Sequence, residues 1–143
     1  MGLAERLEVE RRIKAMLARA SSDLGELRQL YDDLCDLAPV PNGVSVKAST
    51  LGSVPVEILS PKSVMGDGVI LYLHGGAFVC CGLATHRNLV SRISASTRAP
   101  VLAVDYRMLP RHPIRRAVED GISGLRWLMS HGYPIERIVV AGD

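Results

Sequence analysis

The chain has 143 residues, 48% hydrophobic and 22% charged, with 17 Lys and Arg against 15 Asp and Glu. That is enough apolar material to offset the entropy of ordering one domain, so disorder is excluded. A net charge of +2, scattered basic residues and only 4% aromatics exclude the charged stripe and stacking platforms of a nucleic-acid binder.

Met1 to Arg6 is too charged to lead into a signal-peptide core, and Arg6 spoils the myristoylation pattern. No apolar run approaches the ~20 residues that span a bilayer, so no transmembrane segment is expected. Cys35, Cys80 and Cys81 are odd in number and lack C-x-x-C spacing. Two adjacent cysteines are awkwardly separated for a bridge, so all three read as reduced structural thiols of a cytoplasmic protein.

Up to about Leu37 the rhythm is helical. Leu3, Leu7, Ile13 and Leu17 recur among Glu and Arg, with Val9 off the stripe. After Ala20-Ser21-Ser22, Leu24, Leu27, Tyr31 and Leu34 lie on one face, with Asp23 as N-cap and Glu26 completing a capping box. Pro39 to Gly43 ends the helix. The expectation is a helical cap over 1–43, its two amphipathic helices lying as a lid on a core over 44–143.

Val44 to Lys47 and Val54 to Leu59, separated by Leu51-Gly52-Ser53, predict an antiparallel pair, with Pro55 restricted to an edge or a strand start. Three apolar runs follow: 69–73, 100–104 and 138–141, each predicted as a strand covered on both faces. Between them lie a helix from Thr85, its N-cap, to Thr97, with Leu89, Val90 and Ile93 inward, and a helix from Arg116 to Ser130. The second carries a stripe of Val118, Ile122, Leu125 and Met129. Strand–helix–strand–helix–strand predicts parallel pairing through right-handed crossovers, hence an α/β fold.

Ligand sites in such sheets gather at the carboxyl ends of the strands. After Leu73 comes His74-Gly75-Gly76-Ala77-Phe78, where the glycines admit close backbone approach and their amides can face a developing oxyanion; the bland alternative is a tight turn. After Val104 comes Asp105-Tyr106-Arg107, read as a charged loop brace rather than a catalytic acid. Gly142-Asp143 is how the nucleophile elbow G-x-S-x-G begins. His86 and His131 read as surface residues and His112 as a loop histidine. No phosphate-loop or metal motif occurs, and no cofactor is expected.

Tyr72 to Phe78, Asp105-Tyr106-Arg107, His112-Pro113 with Ala117 to Asp120, and Val140 to Asp143 together resemble the N-terminal half of the hormone-sensitive-lipase-like family of α/β-hydrolase esterases. The blocks match in order and spacing from about Leu24 to Asp143, and the N-terminal helix pair is similar to part of that family's cap. The resemblance implies a partial α/β-hydrolase fold with the rest of the sheet outside this chain, and a serine carboxylesterase or lipase. It assigns oxyanion donors to Gly75, Gly76 and Ala77, loop support to His74, Asp105 and Arg107, and the elbow start to Gly142 and Asp143.

Two departures stand out: Ala77 replaces a usual third glycine, and Met108-Leu109-Pro110-Arg111-His112 replaces the family's Leu-Ala-Pro-Glu-His. The family order puts the nucleophilic serine directly after Asp143 and the acid and histidine later, so no triad member is expected within the chain. The implied partners are a small-molecule ester and the C-terminal half of the same protein, with no nucleic acid; homo-oligomerisation is left open. Phe78 and Val79 favour an apolar group, of short to medium acyl length by family analogy. The competing readings are an inactive hydrolase fold kept as a binding module and, more weakly, a nucleotide-binding domain.

Overall fold

Period-two alternation along short apolar strands builds the centre of the molecule. The computed structural model describes residues 3–19, 23, 25, 26, 28, 29, 31 and 40–143. Strands β1 (Val44–Leu51), β2 (Val54–Pro61), β3 (Val69–Leu73), β4 (Val101–Val104) and β5 (Ile138–Gly142) form one sheet in the order β1-β2-β4-β3-β5. Helices α1 (Leu3–Arg19), α2 (Leu83–Thr97) and α3 (Ile114–Ser130) accompany it, with a 3₁₀ turn at Ile135–Arg137, and the described residues 25, 26, 28, 29 and 31 are helical too.

On β3, Val69 and Leu71 join one core cluster with Leu102, Val104 and the α3 residues Ala117 and Leu128. Ile70 and Tyr72 join the other, with Val101, Ala103 and Val90 of α2. The sheet is thus the middle layer, α2 on one face and α3 on the other.

β1 and β2 form the expected antiparallel pair, from Val44 opposite Pro61 to Leu51 opposite Val54. Pro55 is the second residue of β2, and its carbonyl accepts the Asp105 N–H at 3.0 Å. β4 pairs antiparallel with β2 and parallel with β3, and β3 pairs parallel with β5. The chain therefore leaves β3 to one side through α2 and crosses back to its other side through α3. Such a reversal separates the two helices across the sheet and opens a crevice at the strand ends.

Several expectations change in three dimensions. Of the α3 stripe only Leu125 packs against the core; Val118 is 54%, Ile122 43% and Met129 48% exposed. The residues of α3 that are buried are Ala117, Asp120, Gly121, Gly124 and Leu128. Small side chains let the helix axis approach; a Cβ on Gly124 would stand 3.0 Å from Leu71 and 3.2 Å from Val104. Leu89 of α2 is exposed, while Val90, Ser91 and Ser94 are buried. Ser94 fits there because its hydroxyl donates to the Ala99 carbonyl at 2.9 Å.

Thr85 caps α2 from inside the first turn, not as N-cap: its hydroxyl oxygen accepts the Gly82 N–H at 2.9 Å. β5 is an edge strand among the described residues, as a partial sheet implies, and it is not doubly covered: Val139 and Val140 are each 59% exposed. On α1, Leu7 and Ile13 are exposed, and Glu8 pairs with Arg11 and Arg12 along the helix. The Asp23 cap is present, its carboxylate accepting the N–H groups of Gly25 and Glu26 at 2.6 and 3.1 Å. Leu24, Leu27, Leu34 and Cys35 lie outside the described residues.

Gly124→Val would force branched methyls against Leu71 and Val104. We expect a loss of about 1–3 kcal/mol in urea unfolding, as for other overpacked cores. Ser123→Ala, on the exposed side of the same helix, should shift stability by no more than about 0.5 kcal/mol.

Candidate active site

Three loops meet at the carboxyl ends of β3, β4 and β5. At their centre is the Asp143 carboxylate. Its Oδ1 accepts the Tyr72 hydroxyl at 2.8 Å and the Gly75 N–H at 3.0 Å, and its Oδ2 lies 3.2 Å from His86 Nε2. Burial opposes ionisation of Asp143, and the bonds from Tyr72, Gly75 and His86 outweigh it, holding the carboxyl below its ordinary value. Burial and the Asp143 charge push the Tyr72 hydroxyl well up, so it stays a donor. His86, expected on the surface, is a half-buried member of this cluster. Its Nδ1 is 2.9 Å from the Thr85 hydroxyl and its ring 5.5 Å from that of His74.

The approach is close enough to dictate the glycines. A Cβ at Gly75 would lie 2.8 Å from the Asp143 carbonyl oxygen, and one at Gly142 would lie 2.5 Å from the Leu73 carbonyl oxygen. A Cβ at Gly76, whose φ is +120°, would collide with the Cys80 carbonyl. The Gly76 carbonyl in turn accepts the N–H groups of Val79 at 3.0 Å and Cys80 at 3.1 Å, rolling the loop into a turn. Ala77 and Phe78 follow at φ 54° and 61°. Each left-handed non-glycine costs roughly 1–2 kcal/mol that surrounding contacts must offset.

Of the three expected oxyanion donors, Gly75 is already committed to Asp143. The N–H groups of Gly76 and Ala77 have no hydrogen-bond acceptor among the described residues. The loop-support residues are drawn into separate contacts. His74 is buried, stacked at 4.2 Å on Tyr106, whose hydroxyl donates to the His74 carbonyl. His74 Nδ1 lies 2.8 Å from the Gly75 carbonyl, which can only accept, so Nδ1 carries the proton. Nε2 has no partner among the described residues and stands 3.9 Å from Asp105.

Arg107 does not pair with Asp105. It forks onto buried Asp120 of α3, with Nη2 2.5 Å from Oδ1 and Nε 2.9 Å from Oδ2, while the Arg107 N–H donates to the same carboxylate at 2.9 Å. Burial works against the Asp120 charge, but Arg107 outweighs it and keeps the carboxyl below its ordinary value. Asp105 faces His74 and Gly82 instead, and burial raises its carboxyl. Tyr72, Tyr106 and Asp120 lay within the motif blocks of the sequence without an assigned role, and His86 had no motif to flag it.

A cavity of about 450 Å³ runs from Asp143 and His74 along Leu73, Phe78, Ile122 and Val140. It is lined almost wholly by apolar side chains, among them Val118, Ile122 and Leu125 of the α3 stripe. Among the described residues no three His, Cys, Asp or Glu side chains group to hold a metal ion. No described helix is long and apolar enough to cross a membrane.

This arrangement has counterparts. Residues 70–143, more than half the chain, match the family model described as alpha/beta hydrolase fold. An esterase of the bacterial hormone-sensitive lipase family superposes with a TM-score of 0.89 at 31% identity, covering 100% of this chain and 48% of that one. The chain belongs to the hormone-sensitive-lipase-like branch of the α/β-hydrolase fold family. Esterase LipU of Mycobacterium tuberculosis is 41% identical over 109 residues, 73% of this chain and 37% of LipU. Carboxylesterase/phospholipase LipF of the same species is 48% identical over 89 residues, 60% of this chain and 24% of LipF. The chain thus spans about a quarter to a half of the length of these relatives.

Burial holds His74 below its ordinary value of 6.5, so the folded site contains the neutral ring. The stability this contributes is full above pH 6.5 and is lost as pH falls towards the lower folded value. His74→Asn keeps a donor near the Nδ1 position and does not titrate. We expect it to be less stable at pH 8 by about 1–3 kcal/mol from lost packing. In urea unfolding between pH 8 and 5, the gap to the wild type should narrow with acidification; a constant gap would count against a neutral buried His74.

Proposed function

We propose that this chain is the N-terminal part of a serine carboxylic ester hydrolase acting on esters of short to medium acyl length. One observation carries the reading. The Gly75 amide is fastened to Asp143, the residue that precedes the expected serine, and the next two amides of the same loop have no acceptors among the described residues, which leaves them available to an oxyanion formed there. Gly76 and Ala77 are then the oxyanion donors, and Gly75 is a structural tie.

In the proposed reaction the serine hydroxyl after Asp143 attacks the ester carbonyl while a downstream histidine takes its proton. The carbonyl oxygen becomes negative, and the Gly76 and Ala77 N–H groups donate to it. The intermediate collapses to an acyl-enzyme as the alcohol leaves with the proton, and water then releases the acid. His74 holds the loop through the Gly75 carbonyl, and Arg107 with Asp120 fixes the neighbouring loop. The apolar cavity beside Asp143 would receive part of the substrate. The helical segment over 1–43 is read as part of the cap. Unbridged Cys80 and Cys81 support a cytosolic location.

The full-length protein should hydrolyse p-nitrophenyl acetate and butyrate. A serine-directed phosphonate should abolish the activity and add its mass to the peptide that continues from Asp143. Gly76→Ala should lower kcat on the order of 10²-fold or more, as expected for lost oxyanion geometry. A folded protein with no hydrolysis and no labelling at that peptide would favour the inactive binding module instead.

A further inference from the structure

The loop that carries Gly76 and Ala77 is strained, and its own hydrogen bonds are few. Gly76, Ala77, Phe78 and Cys81 all have positive φ, at 120°, 54°, 61° and 70°. Locally the turn is closed by Val79 and Cys80 donating to the Gly76 carbonyl, and the Phe78 carbonyl accepts the Leu109 N–H at 2.9 Å. That leaves the carbonyls of Val79 and Leu109, half-buried residues on two different loops, in need of a donor.

Both are met by one side chain from far away in the sequence. Arg28 Nε donates to the Val79 carbonyl at 2.6 Å and Arg28 Nη2 donates to the Leu109 carbonyl at 2.7 Å. Arg28 is helical and half-buried, in the N-terminal segment rather than in the sheet domain. We propose that Arg28 is a positioning residue for ester hydrolysis, clamping the Gly76–Cys80 turn against the Leu109 loop so that the Gly76 and Ala77 amides hold their aim. This rests on the ester-hydrolase reading above.

The chemistry favours arginine specifically. Its guanidinium is planar, stays charged and presents Nε and Nη2 in a fixed fork, so two carbonyls on separate loops are held at a set spacing. Lysine offers a single ammonium on a flexible stem and would satisfy one carbonyl at a time. Arg28 does not itself line the cavity, and its two bonds go to Val79 and Leu109, so its loss should leave substrate binding largely intact. The expected signature is in the transition state, where displaced donors matter most.

In the full-length protein, Arg28→Ala should lower kcat for p-nitrophenyl butyrate on the order of 10–100-fold, as for displaced positioning groups. KM should change less than about threefold, and Arg28→Lys should fall between alanine and wild type. Hydrogen exchange supplies a readout independent of activity: the Val79, Cys80 and Leu109 amides should exchange faster in Arg28→Ala, while β3 and β4 amides should not. Unchanged exchange at those three amides, or a rise in KM with kcat retained, overturns the proposal. A wild-type protein without esterase activity overturns the ester-hydrolase reading, and the exchange result then decides the clamp alone. Should the alanine variant not fold, Arg28→Lys carries the same exchange and kinetic comparison.

Discussion

The Asp143 carboxylate is the point on which the site is assembled. It sits at the end of β5 and takes hydrogen bonds from the end of β3, through the Tyr72 hydroxyl and the Gly75 amide, and lies against His86 near the start of α2. Three segments distant in sequence are thereby fixed to one pair of oxygen atoms. Bonds to an ionised acceptor are stronger than neutral ones, and the three together keep that acceptor ionised against the cost of its burial. The glycines follow from this constraint. With Gly75 and Gly142 packed against Asp143 and Leu73, any side chain at either position would displace the carboxylate or the strand end.

Around that centre the molecule sorts its charges by task. Glu57 of β2 is buried and paired with Arg87 at 2.6 Å, joining α2 to the sheet. Asp120, also buried, joins α3 to the loop after β4 through Arg107. Each pair connects a helix to the sheet side of the crevice, one on each face. Buried pairs of this kind contribute less net stability than their short distances suggest, because desolvation offsets most of the attraction. Their geometry, however, fixes where the loops leave the sheet.

The apolar surface is distributed unevenly, and the reason is topological. β3 lies between β4 and β5 and is buried on both faces, whereas among the described residues β5 has a neighbour on one side only. On the α3 side, exposed Val140 lines the cavity beside Asp143 together with Val118 and Ile122, whereas exposed Val139 lies on the opposite, α2-side face of the sheet. Strands of a parallel sheet with such composition are ordinarily covered on both faces.

The α/β class, all five strands, the antiparallel start and the parallel remainder could be read from the sequence, because each depends on local periodicity and turn residues. The His74 to Phe78 segment and Gly142-Asp143 were also legible, since glycines immediately after apolar strands signal close backbone approach whatever the fold. Other features are set by partners distant in the chain. Of the α3 stripe, Leu125 packs on the core while Val118, Ile122 and Met129 are exposed, because the helix approaches the sheet through Gly121 and Gly124. Arg107 reaches Asp120 instead of Asp105 and His86 joins Asp143 because the crossovers through α2 and α3 bring those groups together, and Arg28 of the N-terminal segment spans two loops that the α2 crossover has made neighbours. Hydrophobic rhythm fixes which elements form, but only the reversal of strand order at β3 decides which polar side chains meet at their ends.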